Sequence, residues 1–475
     1  MPTIPNAASE VAAIEAETSS SMGNLLGLEA GSFKRNLIPW LSKGGFAILD
    51  QGLISGSNFL LSILLARWLS AEQYGAYAVA FGFFVLLSLV YNCLVLEPMA
   101  VFGGSSYHGS LRGYLGSLIW IHVAFSAAIA TAFGASTFAA WRMSPGGGLG
   151  GALGGVTIAS PCVLLFWLAR RSFYLELSPA KSALGALVYF GLSLSGMFGL
   201  YHWGILSSFS AFVLVGFAAL ITSFYLLIVL RMELANQPFA HSTKTVWGRH
   251  WRYGRWALGG AVASWIPANI YYPLLSSFGG LAHSGQLKAL MNLTLPVEQV
   301  KMALGLLFIP YAARTLEREG REGAKSLSRR MTLVSLSVAV GYWAVILIFK
   351  GSVFHLLYSG RYSEVTALVP LAAFGSIAWC GSFGSSIALR AMESPASVFA
   401  AFSMATVLSL VIGIPAVWRF GVAGAVWGIN TSDVLSWILL VWLLQQKVAG
   451  RASIIERLPW SKPTVRPLAE DLPSQ

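Results

Sequence analysis

The chain has 475 residues, 56% of them hydrophobic and only 11% charged, with a mean hydropathy of +0.67. A soluble globular chain carries roughly 25% charged residues, so a water-soluble fold is excluded. The net charge of +12 would point to nucleic acid in a soluble protein, but here the basic residues sit in short loops between apolar runs, so no nucleic acid is implied and the partner they meet is the anionic leaflet of a lipid bilayer.

Residues 1–36, rich in Ala, Ser and Glu, lack a basic region followed by an apolar core and read as a disordered cytoplasmic tail, not a signal peptide. Apolar runs long enough to cross a hydrocarbon core of ~30 Å then begin near Gly44, Gly75, Tyr114, Gly151, Ala183, Ser208, Trp256, Gln286, Met331, Val365, Ser397 and Gly421. They predict an all-α polytopic membrane protein of about twelve transmembrane helices. A basic cytoplasmic linker, 231–255, separates an N-terminal lobe of six spans (37–230) from a C-terminal lobe of six (256–447), and 448–475 forms a second cytoplasmic tail. An even number of spans per lobe implies a pseudo-two-fold along the membrane normal. Ser70-Ala-Glu-Gln-Tyr-Gly75 and Gly280-Leu-Ala-His-Ser-Gly285 occupy the same turn of each half, in keeping with that symmetry.

Counting Lys and Arg loop by loop assigns 24 of the 31 to the side of the N-terminus and 6 to the other, leaving only Lys301 inside a span. Positive charge is retained on the cytoplasmic face, so both termini are cytoplasmic. In this count Arg170 and Arg171 belong to a cytoplasmic loop, and Arg67 and Lys288 to the outer side.

Polar groups at bilayer depth mark candidate functional positions because each costs a few kcal/mol to bury. In the first span Gln51, Ser55, Asn58 and Ser62 recur at steps of 4, 3 and 4, forming one polar stripe beside Asp50, and this helix is expected to face a cavity. Span seven carries Pro267 and Pro273 around Asn269, Tyr271 and Tyr272, a pattern that kinks a helix. Span eight aligns Lys288, Asn292 and Gln299 on one face. It sets Glu298 and Lys301 one turn apart on another, either as an ion pair or with Lys301 free to meet an anionic headgroup. Glu97, Asn430 and Asp433 lie near span ends.

Nothing in the sequence supports catalysis or a cofactor. There is no nucleotide-binding glycine loop, no nucleophile elbow and no zinc-protease motif. The seven histidines are scattered, and Cys93, Cys162 and Cys380 lie singly inside apolar runs, so neither a metal site nor a disulfide framework is expected.

Five stretches resemble the polysaccharide-transporter branch of the multidrug/oligosaccharidyl-lipid/polysaccharide (MOP) superfamily, the repeat-unit flippases of O-antigen and exopolysaccharide assembly. They are Leu64-Leu-Ala-Arg-Trp-Leu-Ser-Ala-Glu-Gln-Tyr-Gly-Ala-Tyr77, Ser284-Gly-Gln-Leu-Lys-Ala-Leu with Pro296 downstream, Leu307-Phe-Ile-Pro-Tyr311, Leu357-Tyr-Ser-Gly-Arg-Tyr362, and Phe420-Gly-Val-Ala-Gly-Ala-Val426. The resemblance implies a two-lobed bundle in a bacterial inner membrane that carries an undecaprenyl-pyrophosphate-linked oligosaccharide to the outer leaflet by alternating access. It implies polysaccharide polymerase and export proteins as partners. The substrate residues expected on this basis are Asp50, Gln51, Asn58, Arg67, Asn269, Tyr272, Lys288, Asn292, Glu298, Gln299 and Lys301. The sequence differs from related peptidoglycan-precursor flippases in having no set of arginines deep in its first half, which argues against that substrate. The alternative within the superfamily is a cation-coupled multidrug antiporter, with Asp50 and Glu298 as coupling carboxylates. A membrane glycan polymerase or ligase would need a large outer loop, and the outer loops here are short.

Overall fold

The structure, a computed structural model, describes residues 30–104, 106–143, 147–233, 242–392 and 394–450. All regular structure among them is helical. That follows from the composition, since a backbone surrounded by lipid must satisfy its own N–H and C=O groups within the helix.

The first half comprises α1 (Ala30–Trp68), α2 (Ala71–Tyr91), α3 (Glu97–Gly104), α4 (Leu111–Met143), α5 (Gly148–Leu175), α6 (Pro179–His202) and α7 (Ser208–Glu233). A single π-helical turn, Asn92–Leu96, joins α2 to α3. The second half comprises α8 (Thr243–Asn269), α9 (Tyr271–Gly279), α10 (Leu281–Met291), α11 (Leu295–Ile348), α12 (Lys350–Tyr358), α13 (Val369–Gly381), α14 (Phe383–Ala391), α15 (Pro395–Phe420) and α16 (Val422–Val448). Helix α1 begins at Ala30, so the last part of the tail expected over 1–36 is helical. The rest of that tail, the stretch 234–241 of the expected linker, and 451–475 lie outside the described residues. The other end of the linker opens α8 as ordered helix.

Ten helices among the described residues are long and apolar enough to cross a membrane. The spans expected from Trp256 and Gln286 are not continuous helices of that kind. The start of α8 is basic, with Lys244, Arg249, Arg252 and Arg255, and its register ends at Asn269 just after Pro267. Pro273 then sits in the first turn of the short α9. Likewise α10 stops in a 3-10 turn, Asn292–Thr294, before Pro296 starts α11. Proline lacks the N–H that would continue the preceding helix, and each of these breaks sits beside one.

The helices of the first half pack on one another through a core that includes Tyr91, Met99, Tyr114, Phe166 and Phe173, with Val246 of α8 inserted into it. A larger core, containing Leu65, Tyr74, Tyr271, Leu290, Trp343 and Tyr358, runs across both halves. Association inside lipid relies on close packing and interhelical hydrogen bonds, so small residues mark the tightest contacts. The two repeated turns recognised in the sequence meet each other there. A Cβ on Gly75 would lie 1.7 Å from the Leu281 carbonyl oxygen, and one on Gly285 would lie 2.7 Å from that of Ala71, so only glycine lets α2 and α10 touch at this point.

Candidate functional site

Between the halves lies a cavity of about 650 Å³. The α1 stripe borders it in full: Gln51, Ser55, Asn58 and Ser62 all line the wall, as 3.6-residue periodicity requires of residues spaced 4, 3 and 4 apart. Gln51 Nε2 donates to Ser55 Oγ at 3.3 Å, and Ser55 Oγ donates to Gln299 Oε1 of α11 at 2.9 Å, so the stripe bridges the two halves.

The opposing wall comes from α2 and α5. Tyr77, Phe81, Phe84 and Ser88 descend α2 at helical spacing, and Asn92 continues that face into the π turn. On α5 the series Val156, Ala159, Val163, Trp167 and Arg170 descends at the same spacing. The aromatic rings run in contact, Tyr77 on Phe212 at 4.7 Å, Phe81 on Phe84 at 6.0 Å and Phe84 edge-on to Trp167 at 6.0 Å.

Among the described residues three cations line the cavity, Arg170, Arg171 and Lys288, and no Asp or Glu does. Both arginines belong to α5, more than a turn short of its C-terminus, and not to a loop. This corrects the expectation that the first half brings no arginines to the site. Arg171 Nη1 donates to Asn92 Oδ1 at 3.2 Å, tying α5 to the π turn. Lys288 holds its ammonium 4.7 Å from the centre of the Phe81 ring.

Asp50 is 1% exposed and stands behind this wall. Its Oδ2 accepts hydrogen bonds from Tyr174 Oη at 2.6 Å and Ser182 Oγ at 3.0 Å. Its Oδ1 faces Arg170 Nη1 at 3.5 Å, an ion pair too long for a good hydrogen bond. Arg170 therefore keeps Nε and Nη1 without an acceptor although both atoms are buried. A guanidinium has five donors in a planar fork, so this one has capacity left for an anion.

Of the residues expected from sequence, Gln51, Asn58, Lys288 and Gln299 share the cavity wall. The others lie elsewhere. Asn292 is fully buried and works as a junction between the halves: its Oδ1 accepts from Ser62 Oγ at 3.0 Å, and its Nδ2 donates to Tyr74 Oη at 2.9 Å and Tyr358 Oη at 3.4 Å. Glu298 accepts from Thr294 Oγ1 at 2.8 Å and makes no ion pair with Lys301. Lys301 turns away from the cavity into the second half, where it donates to the Trp379 carbonyl at 2.8 Å and lies 3.6 Å over that indole. Tyr272 is buried in the shared core, Asn269 donates to the Trp265 carbonyl of its own helix, and Arg67 is exposed at the end of α1.

Arg170, Arg171, Asn92 and the aromatic wall are the functional candidates that the sequence reading omits. A signal for Arg170 exists, because it continues the Val156, Ala159, Val163, Trp167 series by another helical step.

No protein-family profile and no curated protein sequence matches the chain. Solved structures do match in fold. An inward-facing multidrug resistance MATE family transporter of the MOP superfamily superposes with a TM-score of 0.69 at 13% identity, covering 85% of this chain and 98% of that one. The lipid II flippase MurJ in an inward closed conformation gives 0.63 at 11% identity over 86% and 87%. An outward-facing MATE transporter gives 0.56 at 12% identity over 85% and 94%. At such identities the likeness is one of fold: this is a multi-pass membrane protein built on the architecture that these transporters display.

Proposed function

We propose that the protein is a flippase that moves an anionic, undecaprenyl-pyrophosphate-linked oligosaccharide from the cytoplasmic to the outer leaflet of a bacterial inner membrane by alternating access. The observation that carries this reading is the charge of the cavity, whose wall has three cations and no carboxylate among the described residues. A carrier of cationic drugs would meet repulsion there, since like charges in a low-dielectric site cost several kcal/mol. The fold is common to multidrug carriers and to a lipid II flippase, so the wall's chemistry is what favours the lipid-linked anion.

In this reading α8–α9, and α10 with the stretch of α11 before Arg314, join the ten spans as crossings seven and eight of twelve, in two lobes of six, with both termini cytoplasmic. The tight contact of α2 with α10 then closes the outer end, and Arg170 and Arg171 stand toward the cytoplasmic end, where the substrate is made. The greater likeness to the inward-facing transporter than to the outward-facing one accords with that arrangement. Gln51, Asn58 and Gln299 supply neutral hydrogen-bonding groups for sugar hydroxyls.

The test is deletion of the gene in its host, followed by assay of undecaprenyl-linked oligosaccharides on the outer face of spheroplasts. Repeat units trapped inside, together with loss of surface polysaccharide, are the expected result. Normal export with altered drug tolerance would overturn the reading in favour of an antiporter.

A further inference from the structure

The cations of the cavity stand in two separate places, and α2 measures the distance between them. The Lys288 ammonium is over Phe81, and Arg171 reaches Asn92. Phe81 on α2 and Asn92, the first residue after it, are eleven helical steps apart, which at 1.5 Å per residue is about 16 Å. A diphosphate is far too short to touch both. From this separation we infer that the transported molecule is negatively charged at two points, with its diphosphate at Arg170 and Arg171 and a second anionic group, carried on the glycan itself, at Lys288. The inference rests on the flippase reading and narrows it to acidic oligosaccharides.

The division of labour follows from side-chain chemistry. Paired guanidinium forks match the oxygens of phosphoryl groups, and Arg170 has buried Nε and Nη1 donors with no acceptor. Lys288 is a compact point charge suited to a single carboxylate. Among the described residues its ammonium has no hydrogen-bond acceptor and no ion pair, and it stands over the Phe81 ring face. Such a contact returns about 0.5–2 kcal/mol, whereas a lysine held within the bilayer costs about 2.5–3.5 kcal/mol even on the lenient insertion scales. An arriving anion would remove that deficit; among the described residues no side chain forms an ion pair with the ammonium, and Glu298 attracts it only from a longer range. Glu298, the carboxylate nearest in sequence, is engaged by Thr294. Between the two cationic positions lie Phe84 and Trp167, whose rings offer the faces on which the C–H surfaces of sugars stack. The length from one position to the other accommodates a few sugar rings, which places the acidic residue inside the repeat unit and not next to the diphosphate.

The experiment compares two synthetic polyprenyl-diphosphate oligosaccharides, identical except that one internal hexose is replaced by the corresponding uronic acid, binding to the full-length protein in nanodiscs. The wild type is expected to bind the acidic lipid about tenfold more tightly, equivalent to about 1.4 kcal/mol. Lys288→Gln should bring the ratio of affinities close to one, Lys288→Arg should retain it, and Arg171→Gln should weaken both lipids while the ratio persists. Equal binding of the two lipids by the wild type overturns the inference whether or not any variant folds, as does a ratio that survives Lys288→Gln. If neither lipid binds while a lipophilic cation does, the flippase reading itself fails, a result distinct from equal binding.

Discussion

At one end of the cavity the network centred on Asn292 gives each of its own polar groups a partner, although the neighbouring Tyr362 hydroxyl has none. Ser62 donates to Asn292, so Tyr74 donates to Ser62 and accepts from Asn292, while Tyr358 accepts from Asn292 and donates to the Ala289 carbonyl at 2.8 Å. Beside this network Gly75 and Gly285 bring two backbones into contact, and Arg361 of the second half donates to the Leu69 carbonyl of the first. At the other end Arg170 keeps two buried donors without acceptors, and its counter-ion Asp50 is better satisfied by two hydroxyls than by the arginine. The contrast separates residues that fix the shape from residues that wait for a ligand. Satisfied buried polar groups rigidify, whereas unsatisfied ones near a cavity carry a cost that structure alone does not explain.

The contrast is broken most severely at the closed end. Gly75→Val would drive a branched side chain into the Leu281 carbonyl, a backbone atom that cannot swing aside. Overpacking costs about 1–3 kcal/mol and more where backbone must move. A loss of about 3 kcal/mol or more is expected in thermal unfolding in detergent, with cysteine probes near Ser70 becoming accessible as the halves part. An unchanged melting temperature would mean that α2 and α10 are not in contact.

Next comes the charged end. Arg170→Ala leaves Asp50 buried without its cation, and breaking a buried pair costs about 3–5 kcal/mol. A value near the lower figure is expected, because Tyr174 and Ser182 still hold the carboxylate. Asp50→Asn in the Arg170→Ala background should recover most of the stability, while substrate transfer stays lost. Recovery of transfer as well would show that Arg170 serves only to neutralise Asp50.

A smaller effect is expected from Asn292→Leu, which is close to isosteric but leaves Ser62, Tyr74 and Tyr358 short of partners. Unpaired buried hydroxyls cost about 1–3 kcal/mol. Roughly 2 kcal/mol is expected here because Tyr74 and Ser62 retain each other and Tyr358 retains the Ala289 carbonyl. Binding of the lipid-linked substrate should change little compared with Arg170→Ala, and a loss as large would place Asn292 back among the binding residues.

How far the sequence could be read depended on whether periodicity carried the information. The α1 stripe was legible because four polar residues at helical spacing have no other reason to align in an apolar run, and the fold class was legible for the same reason in reverse. Gly75 and Gly285 were visible as matching turns, but not that they would meet. Lys301 shows why depth does not give direction: its position inside a span was plain, yet its partner is a backbone carbonyl at Trp379, which no residue pattern encodes. Arg170 and Arg171 were misread because adjacent basic residues near the end of an apolar run look like a loop, although α5 extends beyond them to Leu175. The breaks at Asn269 and Asn292 followed from the nearby prolines, but the resulting composite segments could not be told from kinked continuous spans.

The smallest expected effect concerns the π turn that carries Asn92 and so positions Arg171. Pro98 has no N–H to offer the Leu94 carbonyl four residues earlier. His250, in the basic stretch ahead of the seventh expected span, takes that place: the carbonyl can only accept, so Nδ1 carries the proton and bonds it at 3.0 Å, and Nε2 must accept from Tyr114 Oη at 2.8 Å. The ring is fully buried, and burial lowers its pKa to about 4. In the unfolded chain the same imidazole titrates near the ordinary value of about 6.5. Below that pH the unfolded state binds a proton that the folded state refuses, so stability falls as pH drops from about 6.5 toward 4, by up to about 1.4 kcal/mol per unit, and is flat above 6.5. His250→Gln should remove this slope, since an amide can donate to Leu94 without titrating, while the neutral-pH stability drops by no more than about 1 kcal/mol. Unfolding midpoints measured from pH 7 to pH 4.5 decide it: a slope that persists in His250→Gln would assign the acid sensitivity to another group.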